Sequence, residues 1–431
     1  MSKPSFTILA HEWVEPSAAL RPGEAPYRIS APASIEDLDF EPQAMVAWYS
    51  PKELFIAAFR AVVSGIFGTY ADKRETVSLL AEPVWHDYSP HFTRHGELWI
   101  DFVADLGDGW APTYGIARLI AETELAFDAD GRGTATTSAG ARRTRRGHVL
   151  IMGGDQVYPT ASLDEYANRL IGPYRSALPA VPYEDQAPHL YAVPGNHDWY
   201  DGLGSFVQTF CRQRWIGAWK TQQKRSYFAF RIDADLWVWG IDIQLFANID
   251  QPQLDYFDGI AQAMQPGSGI ILCTAQPSWT YAEMNTWQEP NPLRREHQKE
   301  EIYNNLGHLE KTIVHKYGHD IVVALAGDAH NYTRYQDEAS DQQRIVAGGG
   351  GASLFPTHEM PATLQLPKKF GGRQYRRAKV FPDERQSRKL AAKTIGFPLF
   401  RQNWGLSLLM GSMYLLIAWV IQSVSKIRTA Q

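Results

Sequence analysis

LYAVPGNHDWYDG, residues 190–202, is an apolar run that stops at Pro194-Gly195 and hands straight over to Asn196, His197 and Asp198. A strand whose carboxyl end delivers polar side chains into a loop is how α/β domains build sites, because ligands lie outside the carboxyl ends of the strands. The same arrangement recurs along the chain, in LWIDFVADLGDG (98–109), HVLIMGGDQVYP (148–159), LWVWGIDIQ (236–244), GIILCTAQPSW (269–279), DIVVALAGDAHNY (320–332) and RIVAGGGGAS (344–353). Short apolar runs bounded by glycine and aspartate read as buried strands, so the pattern predicts an α/β fold.

Several of these strand ends carry the residue types that hold metal ions. Hydrolysis of a phosphate ester requires the repulsion between an anionic substrate and an incoming oxygen to be removed. Two ions about 3.5–4 Å apart do this when a bridging carboxylate and separate Asp, Asn and His ligands meet from several loops. Asp105-Leu106-Gly107-Asp108, Gly154-Asp155-Gln156-Val157-Tyr158, Gly195-Asn196-His197-Asp198 and Gly327-Asp328-Ala329-His330 supply such a set.

These four blocks, in this order, resemble the motif set of the calcineurin-like metallophosphoesterases, and Asp-Leu-Gly with Gly-Asp-x-x-Tyr resembles the purple acid phosphatase branch in particular. The resemblance covers residues 98–358, about three-fifths of the chain. It implies a four-layer α/β/β/α sandwich with metals at the strand ends. It further implies that Asp105, Asp155 and His330 bind a first ion, that Asp155 bridges to a second, and that Asn196 binds the second. Tyr158 falls where the purple acid phosphatases place a metal-binding phenolate, although a ring packed beneath the loop is the other reading. His197 corresponds to a histidine that serves the substrate, donating a hydrogen bond or proton to the phosphoryl or leaving oxygen, with Asp198 beside it to orient the imidazole. Asp108 is either a further ligand or a partner of one.

Two departures weaken the second metal site. Where the family usually offers a histidine after an apolar strand, this chain reads Cys273-Thr274-Ala275-Gln276-Pro277, and Asp328 occupies the first position of the usual Gly-His-x-His. What remains, Asp155, Asn196 and Asp328 with Gln276, is all oxygen, a set that favours Mg²⁺, Mn²⁺ or Ca²⁺ over Zn²⁺. The expected cofactor is therefore a lopsided pair drawn from Mn, Fe, Mg or Zn, one ion firm and one weaker. The run Gly348–Gly351 lacks the Lys-Ser/Thr of a P-loop and is expected as a tight backbone turn beside the site. The histidines at 297, 308, 315 and 319 belong to or follow a polar segment that reads as surface helix.

The rest of the chain sets the context. With 431 residues, 44% hydrophobic, the chain is long enough for one large catalytic domain and appendages or for two modest domains, and its composition excludes a disordered or collagen-like protein. Cys211 and Cys273 alone make a disulfide-stapled secreted domain unlikely on physical grounds, and no secretory leader is read at Met1. Residues 1–45 read as an extended Pro-rich arm, 46–97 as an N-terminal helical segment, 98–358 as the catalytic domain, 359–401 as a basic juxtamembrane linker and 402–425 as a transmembrane helix. That last stretch has no charged residue, and a helix needs only ~20 residues to cross ~30 Å of hydrocarbon. From 368 to 428 thirteen Lys or Arg face two acids, in a chain of net charge −5, so an acidic body carries a basic tail. Cations crowding the N-terminal flank of the helix predict a single-pass protein with its body in the cytoplasm. Beside a membrane helix they predict anionic lipid as the partner, and no nucleic acid.

The expected function is hydrolysis of a phosphomonoester or phosphodiester by a metal-activated hydroxide, on a substrate that membrane attachment makes attractive as a lipid-linked phosphate. The alternative is a membrane-anchored, non-catalytic binding or scaffold protein of the same fold, motivated by the two missing imidazoles.

Overall fold

The computed structural model describes residues 9–12, 38–52, 54–56, 84–127, 142–179, 181, 187–243 and 249–429. It is a mixed α/β chain. The larger sheet runs β1 (Leu9–Glu12), β2 (Val84–Asp87), β10 (Phe228–Asp233), β11 (Leu236–Ile241), β12 (Gly269–Thr274), β13 (Asp320–Ala326), β15 (Gln343–Ala347), β14 (Tyr332–Asp337), β17 (Gln374–Phe381) and β16 (Thr363–Gln365). The smaller runs β3 (Ile100–Val103), β6 (Val149–Met152), β7 (His189–Ala192), β9 (Trp219–Thr221) and β8 (Trp215–Ile216), and β4 (Glu124–Phe127) pairs with β5 (Arg142–Arg145) as a separate ribbon. At the centre of each sheet the strands are parallel: β11, β12, β13 and β15 in one, β3, β6 and β7 in the other.

The two-residue period of a strand sorts the side chains. In β6, Leu150 and Met152 join an apolar cluster with α1 (Trp110–Ala121) and the helices 172–177 and 204–210. Val149 and Ile151 point the other way, into a cluster shared with Tyr191 of β7 and with Phe228, Phe230, Val238 and Cys273 of the larger sheet. In β11, Val238 belongs to that shared cluster, whereas Trp237 and Trp239 face a third one with Tyr256 and Phe257 of α2 (Gln251–Ala263) and Tyr303 and Leu306 of α3 (Pro292–Leu309). All four residues of β6 are buried, which is why its sequence reads as an unbroken apolar run. Cys211 and Cys273 are both buried free thiols.

The stretch 359–401, expected as a linker, is folded. β17 pairs with β14 from Tyr332↔Phe381 to Asp337↔Tyr375, and α4 (Glu384–Lys393) follows, opened by an Asp383–Gln386 capping box. In β17 Tyr375 is the one buried residue, Arg377 is half-buried on the Met360 carbonyl and Glu384, and Arg376 and Lys379 lie outward, so the strand looks like a basic linker in sequence. Similarly, the arginine-rich residues 142–145 form β5, where Arg143 pairs with Glu124. His319, expected on the surface, is buried, with Nε2 on the Ala261 carbonyl at 2.9 Å. Most of the expected N-terminal helical segment lies outside the described residues.

The chain ends in α5 (Trp404–Thr429). Its span Trp404–Gln422, with mean hydropathy 1.8, is long and apolar enough to cross a membrane, and none of it is buried against the body. The core helix of a soluble protein would be covered; this one presents Leu408, Leu415, Trp419 and Ile421 outward.

Candidate metal centre

Strands from both sheets end at one edge of the molecule. Asp105 follows β3 by two residues, Asp155 follows β6 by three, Asn196 follows β7 by four and Asp328 follows β13 by two. Loops of the two sheets are bonded together there: Asp328 N donates to Asp105 Oδ1 at 3.0 Å, Gly350 N to the Ala104 carbonyl at 2.8 Å and Ala352 N to the Asp105 carbonyl at 3.1 Å. The expected tight glycine turn is present, because a Cβ at Gly348 would fall 2.0 Å from Asp105 Oδ2 and one at Gly350 2.4 Å from the Ala104 carbonyl oxygen.

The backbone at the site is strained. Among the described residues six non-glycine residues have left-handed φ, and four of them are Asp105 (62°), Asp155 (51°), Asp328 (65°) and His330 (41°). Each such conformation costs on the order of 1 kcal/mol and persists only where the surroundings over-determine it.

Asp105, Asp155 and His330 are all buried and offer one oxygen or nitrogen each within 4.8 Å of one another. The Tyr158 hydroxyl stands in their midst, 3.4 Å from Asp105 Oδ1, 3.2 Å from Asp155 Oδ2 and 3.0 Å from His330 Nε2. The His330 tautomer follows from its other nitrogen: Nδ1 lies 2.7 Å from the Ser353 carbonyl, which only accepts, so Nδ1 carries the proton and the Nε2 lone pair turns inward. Phe355 stacks on the outer face of that ring, with centroids 4.4 Å apart.

The electrostatics call for a cation. Burial, then the charges of Asp155 and Asp328, drive the Asp105 carboxyl well above the usual carboxylate range. Burial and then Asp155 push Asp328 up to about 7, against the pull of the Tyr281 hydroxyl. Burial lowers His330, and burial followed by the neighbouring aspartates raises the Tyr158 phenol well above its ordinary value. Among the described residues no Lys or Arg forms an ion pair with Asp105, Asp155 or Asp328, and Asp105 Oδ2 is buried without a hydrogen-bond partner. Three clustered carboxyls, an inward imidazole lone pair and an orphaned oxygen fit a metal ion, whose charge would remove the repulsion that raises these groups.

The second set of expected ligands is looser. With its nitrogen toward Asp155, the Asn196 amide donates to Oδ1 at 3.2 Å and Oδ2 at 3.1 Å while its oxygen accepts from Tyr200 at 3.2 Å. Turned over, it donates to Tyr200 and sets its oxygen against the carboxylate, an arrangement favourable only with a cation between them. Asp328 Oδ2 accepts from Tyr281 at 2.9 Å. Gln276 is half-buried in the loop after β12, whose Ala275 packs against Gly154.

For His197 and Asp198 the expected pairing gives way to another. His197 Nδ1 bonds the Pro159 carbonyl at 2.7 Å, and its backbone N donates to Asp155 Oδ1 at 3.0 Å. The Asp198 carboxylate instead accepts from Gly195 N at 2.8 Å, from Gln156 N and from the Tyr166 hydroxyl, splicing the 154–156 and 195–198 loops together. The reason is geometric: Asp198 is the third residue of the short helix 196–199 and its side chain turns back to cap that helix. Asp108 is likewise committed, accepting from Val46 N at 2.9 Å and Trp48 Nε1 at 3.4 Å of the N-terminal arm. His358 turns away, onto Ser387 Oγ at 2.8 Å.

No family model matches the chain. No curated protein matches it either. Solved structures resemble it loosely. GAP50, described as the anchor in the inner membrane complex of Plasmodium, aligns over 60% of this chain and 76% of its own, with 12% identity and a TM-score of 0.37. The purple acid phosphatase PPD1 from yellow lupin (Lupinus luteus) seeds aligns over 60% of this chain and 45% of its own, with 15% identity and a TM-score of 0.36. PhoD aligns over 59% and 56%, with 9% identity and a TM-score of 0.35. The chain thus spans about half the length of the last two. Likeness below 0.5 in TM-score assigns neither reaction nor partner.

Sequence reading missed Trp48. It stands edge-on to Tyr158, with centroids 5.7 Å apart, and to His197 at 5.8 Å. A tryptophan just past a proline-rich arm gives no local sign of the surface it covers. Phe355 and Tyr281 were missed for the same reason.

Proposed function

We propose that the protein is a metal-dependent phosphoesterase whose working residues are Asp105, Asp155, Tyr158, Asn196, Asp328, His330 and His197. The observation that carries this reading is the buried Asp105–Asp155–His330 cluster, which combines an orphaned carboxylate oxygen with an imidazole locked as a ligand. A divalent ion held there, of Mn, Fe, Mg or Zn, would neutralise phosphoryl oxygens and lower the pKa of a water. Asn196 and Asp328, with Asp155 shared and Gln276 at the margin, would hold a second ion more weakly, since they offer oxygen alone. His197 keeps its Nδ1 proton on the Pro159 carbonyl, which leaves Nε2 to give a proton to the departing ester oxygen. Asp198 acts through the loops it joins, and Asp108 through the arm it holds.

The three apolar clusters support an α/β/β/α order for the body, with 98–358 supplying the site and Trp404–Gln422 the membrane anchor. Basic residues before the anchor favour a cytoplasmic body.

The full chain in detergent, stripped of metal, should regain hydrolysis of p-nitrophenyl phosphate or its bis ester when Mn²⁺, Fe²⁺, Zn²⁺ or Mg²⁺ is returned. Asp155→Ala and His197→Ala should each lose about 100-fold or more of that activity. Absence of turnover with every ion, alongside calorimetric metal binding, would favour the second reading, a non-catalytic metal-binding scaffold. That reading draws on Asp328, which stands in place of an imidazole and already accepts from Tyr281.

A further inference from the structure

We propose that the site opens onto the membrane surface and takes a phosphate ester carried on a lipid; the inference rests on the phosphoesterase reading above. Two paths lead from the metal ligands to the membrane helix. On the first, Trp48 packs on His197 and Tyr158, the next residue, Tyr49, packs edge-on against Phe397 with centroids 4.5 Å apart, and Pro51 meets the first turn of α5, where a Cβ at Gly405 would lie 3.3 Å from its Cδ. Three residues of chain span at most about 11 Å, and the turn made by the Trp48 N–Val46 O and Ser50 N–Ala47 O bonds shortens it further. The wall of the site is thus within about one helix diameter of the root of the anchor.

On the second path, Phe355 stacks on His330 and is itself part-exposed beside Leu354, which is 55% exposed. The loop continues to Thr357 and His358, both bonded to Ser387 of α4. Helix α4 presents Arg385, Arg388, Lys389 and Lys393 to solvent, and Ile395 beyond it is 84% exposed. Cations above an apolar root are the complement of an anionic bilayer surface, and their continuity with the anchor fixes which surface that is.

The rim also speaks to the substrate. A small soluble phosphate would be served by cations at the entrance, yet Trp48, Tyr49, Leu354 and Phe355 stand there and the Lys and Arg are set back on α4. An ester with an apolar body satisfies both: its chain stays along the rim and in the bilayer while its phosphate reaches the ligands. In the reaction a water oxygen bonds to phosphorus as the bond from phosphorus to the lipid alcohol breaks; His197 gives a proton to the departing alcohol, the water gives one up to solvent, and His197 regains one from solvent.

The test uses the full chain in phosphatidylcholine vesicles containing phosphatidylglycerol. Leu354→Cys is labelled with an environment-sensitive fluorophore, which the buried Cys211 and Cys273 do not take up. Its emission should shift to the blue and be quenched by lipid-borne quenchers. A label at Asp341→Cys, in the β14–β15 hairpin at the opposite end of the strands, should do neither. In parallel, metal-loaded protein is given alkyl phosphates, or alkyl p-nitrophenyl phosphates if the bis ester proves the better substrate, from butyl to hexadecyl. Catalytic efficiency should rise about tenfold or more along the series, since each buried methylene adds binding energy, and Leu354→Ser should flatten that rise. An unquenched label at 354, or turnover indifferent to chain length, overturns the membrane-facing site and leaves the phosphoesterase standing. No hydrolysis of any ester overturns the phosphoesterase reading and the lipid substrate with it.

Discussion

Asp105 is held from three sides: its backbone is left-handed, its Oδ1 accepts from Asp328 N, and its Oδ2 has glycine against it. The last contact makes Gly348 as much a part of the centre as the ligands. Gly348→Ala would set a Cβ 2.0 Å from Asp105 Oδ2 and 2.8 Å from His330 N, so one or both ligands must move. The expected outcome is Mn²⁺ affinity weaker by about tenfold or more, the size of effect seen when a ligand loses its support, together with a metal-free protein destabilised by about 1–3 kcal/mol as the crowded backbone shifts. Isothermal titration of wild type and variant measures it. Gly349, where a Cβ would meet nothing within 4 Å, is the control, and Gly349→Ala should bind as wild type does. The repeated glycine was visible in the sequence as a turn, but which glycine guards a ligand depends on where Asp105 comes to lie, more than two hundred residues away in the chain.

Among the elements, β2 shows how an edge is fastened. Its ladder to β10 consists of Phe230↔His86 and Arg231↔Asp87, and the second pair carries a fork, with Arg231 Nε donating to Asp87 Oδ1 at 3.0 Å and Nη2 to Oδ2. Burial alone would raise Asp87, but the hydrogen bonds from Arg231 and Ser89 outweigh it and hold the carboxyl below its ordinary range. A carboxyl lowered in the folded state stabilises the protein above its unfolded pKa of about 3.9, and that contribution is lost as pH falls through the folded value. Asp87→Asn should therefore cost about 1–3 kcal/mol at neutral pH, and the gap from wild type should narrow as pH falls below the unfolded carboxyl's value and through the lowered folded one. Urea unfolding across that pH range tests both the size and the sign. β17 illustrates why elements escape a sequence reading: it joins the sheet by its backbone, and one buried tyrosine among charged residues, of which Arg377 is half-buried and the others exposed, leaves no apolar alternation to detect.

For the whole molecule, the centre draws on loops separated by more than two hundred residues and supplied by both sheets. Such a site does not exist in the unfolded chain, so a bound ion stabilises the native state alone. At a free concentration of 100 times its Kd the gain is about 2.7 kcal/mol. Chelation should lower the melting temperature of the full chain by a few degrees, and returning Mn²⁺ should restore it. Asp105→Ala should melt at the same temperature with or without the ion. The absence of any chelator effect on the wild type would show that the cluster holds no ion.

Much of this protein is readable from local order. Apolar runs mark β3, β6, β7, β12 and β13, because strands covered on both faces leave few polar positions to break the run, Asp101 in β3 being one, and polar residues past these runs name Asp105, Asp155, Asn196, Asp328 and His330. The charge-free stretch from 402 to 425 marks α5 by its length and apolar composition, which suit a membrane span. Tertiary structure alone decided that Asp198 braces two loops and leaves the His197 ring to the Pro159 carbonyl, that Asp108 is spent on the arm, and that Trp48 and Phe355 frame the centre. Those contacts join segments far apart in the chain, where neither periodicity nor spacing carries information. They are set by how the ends of two sheets meet.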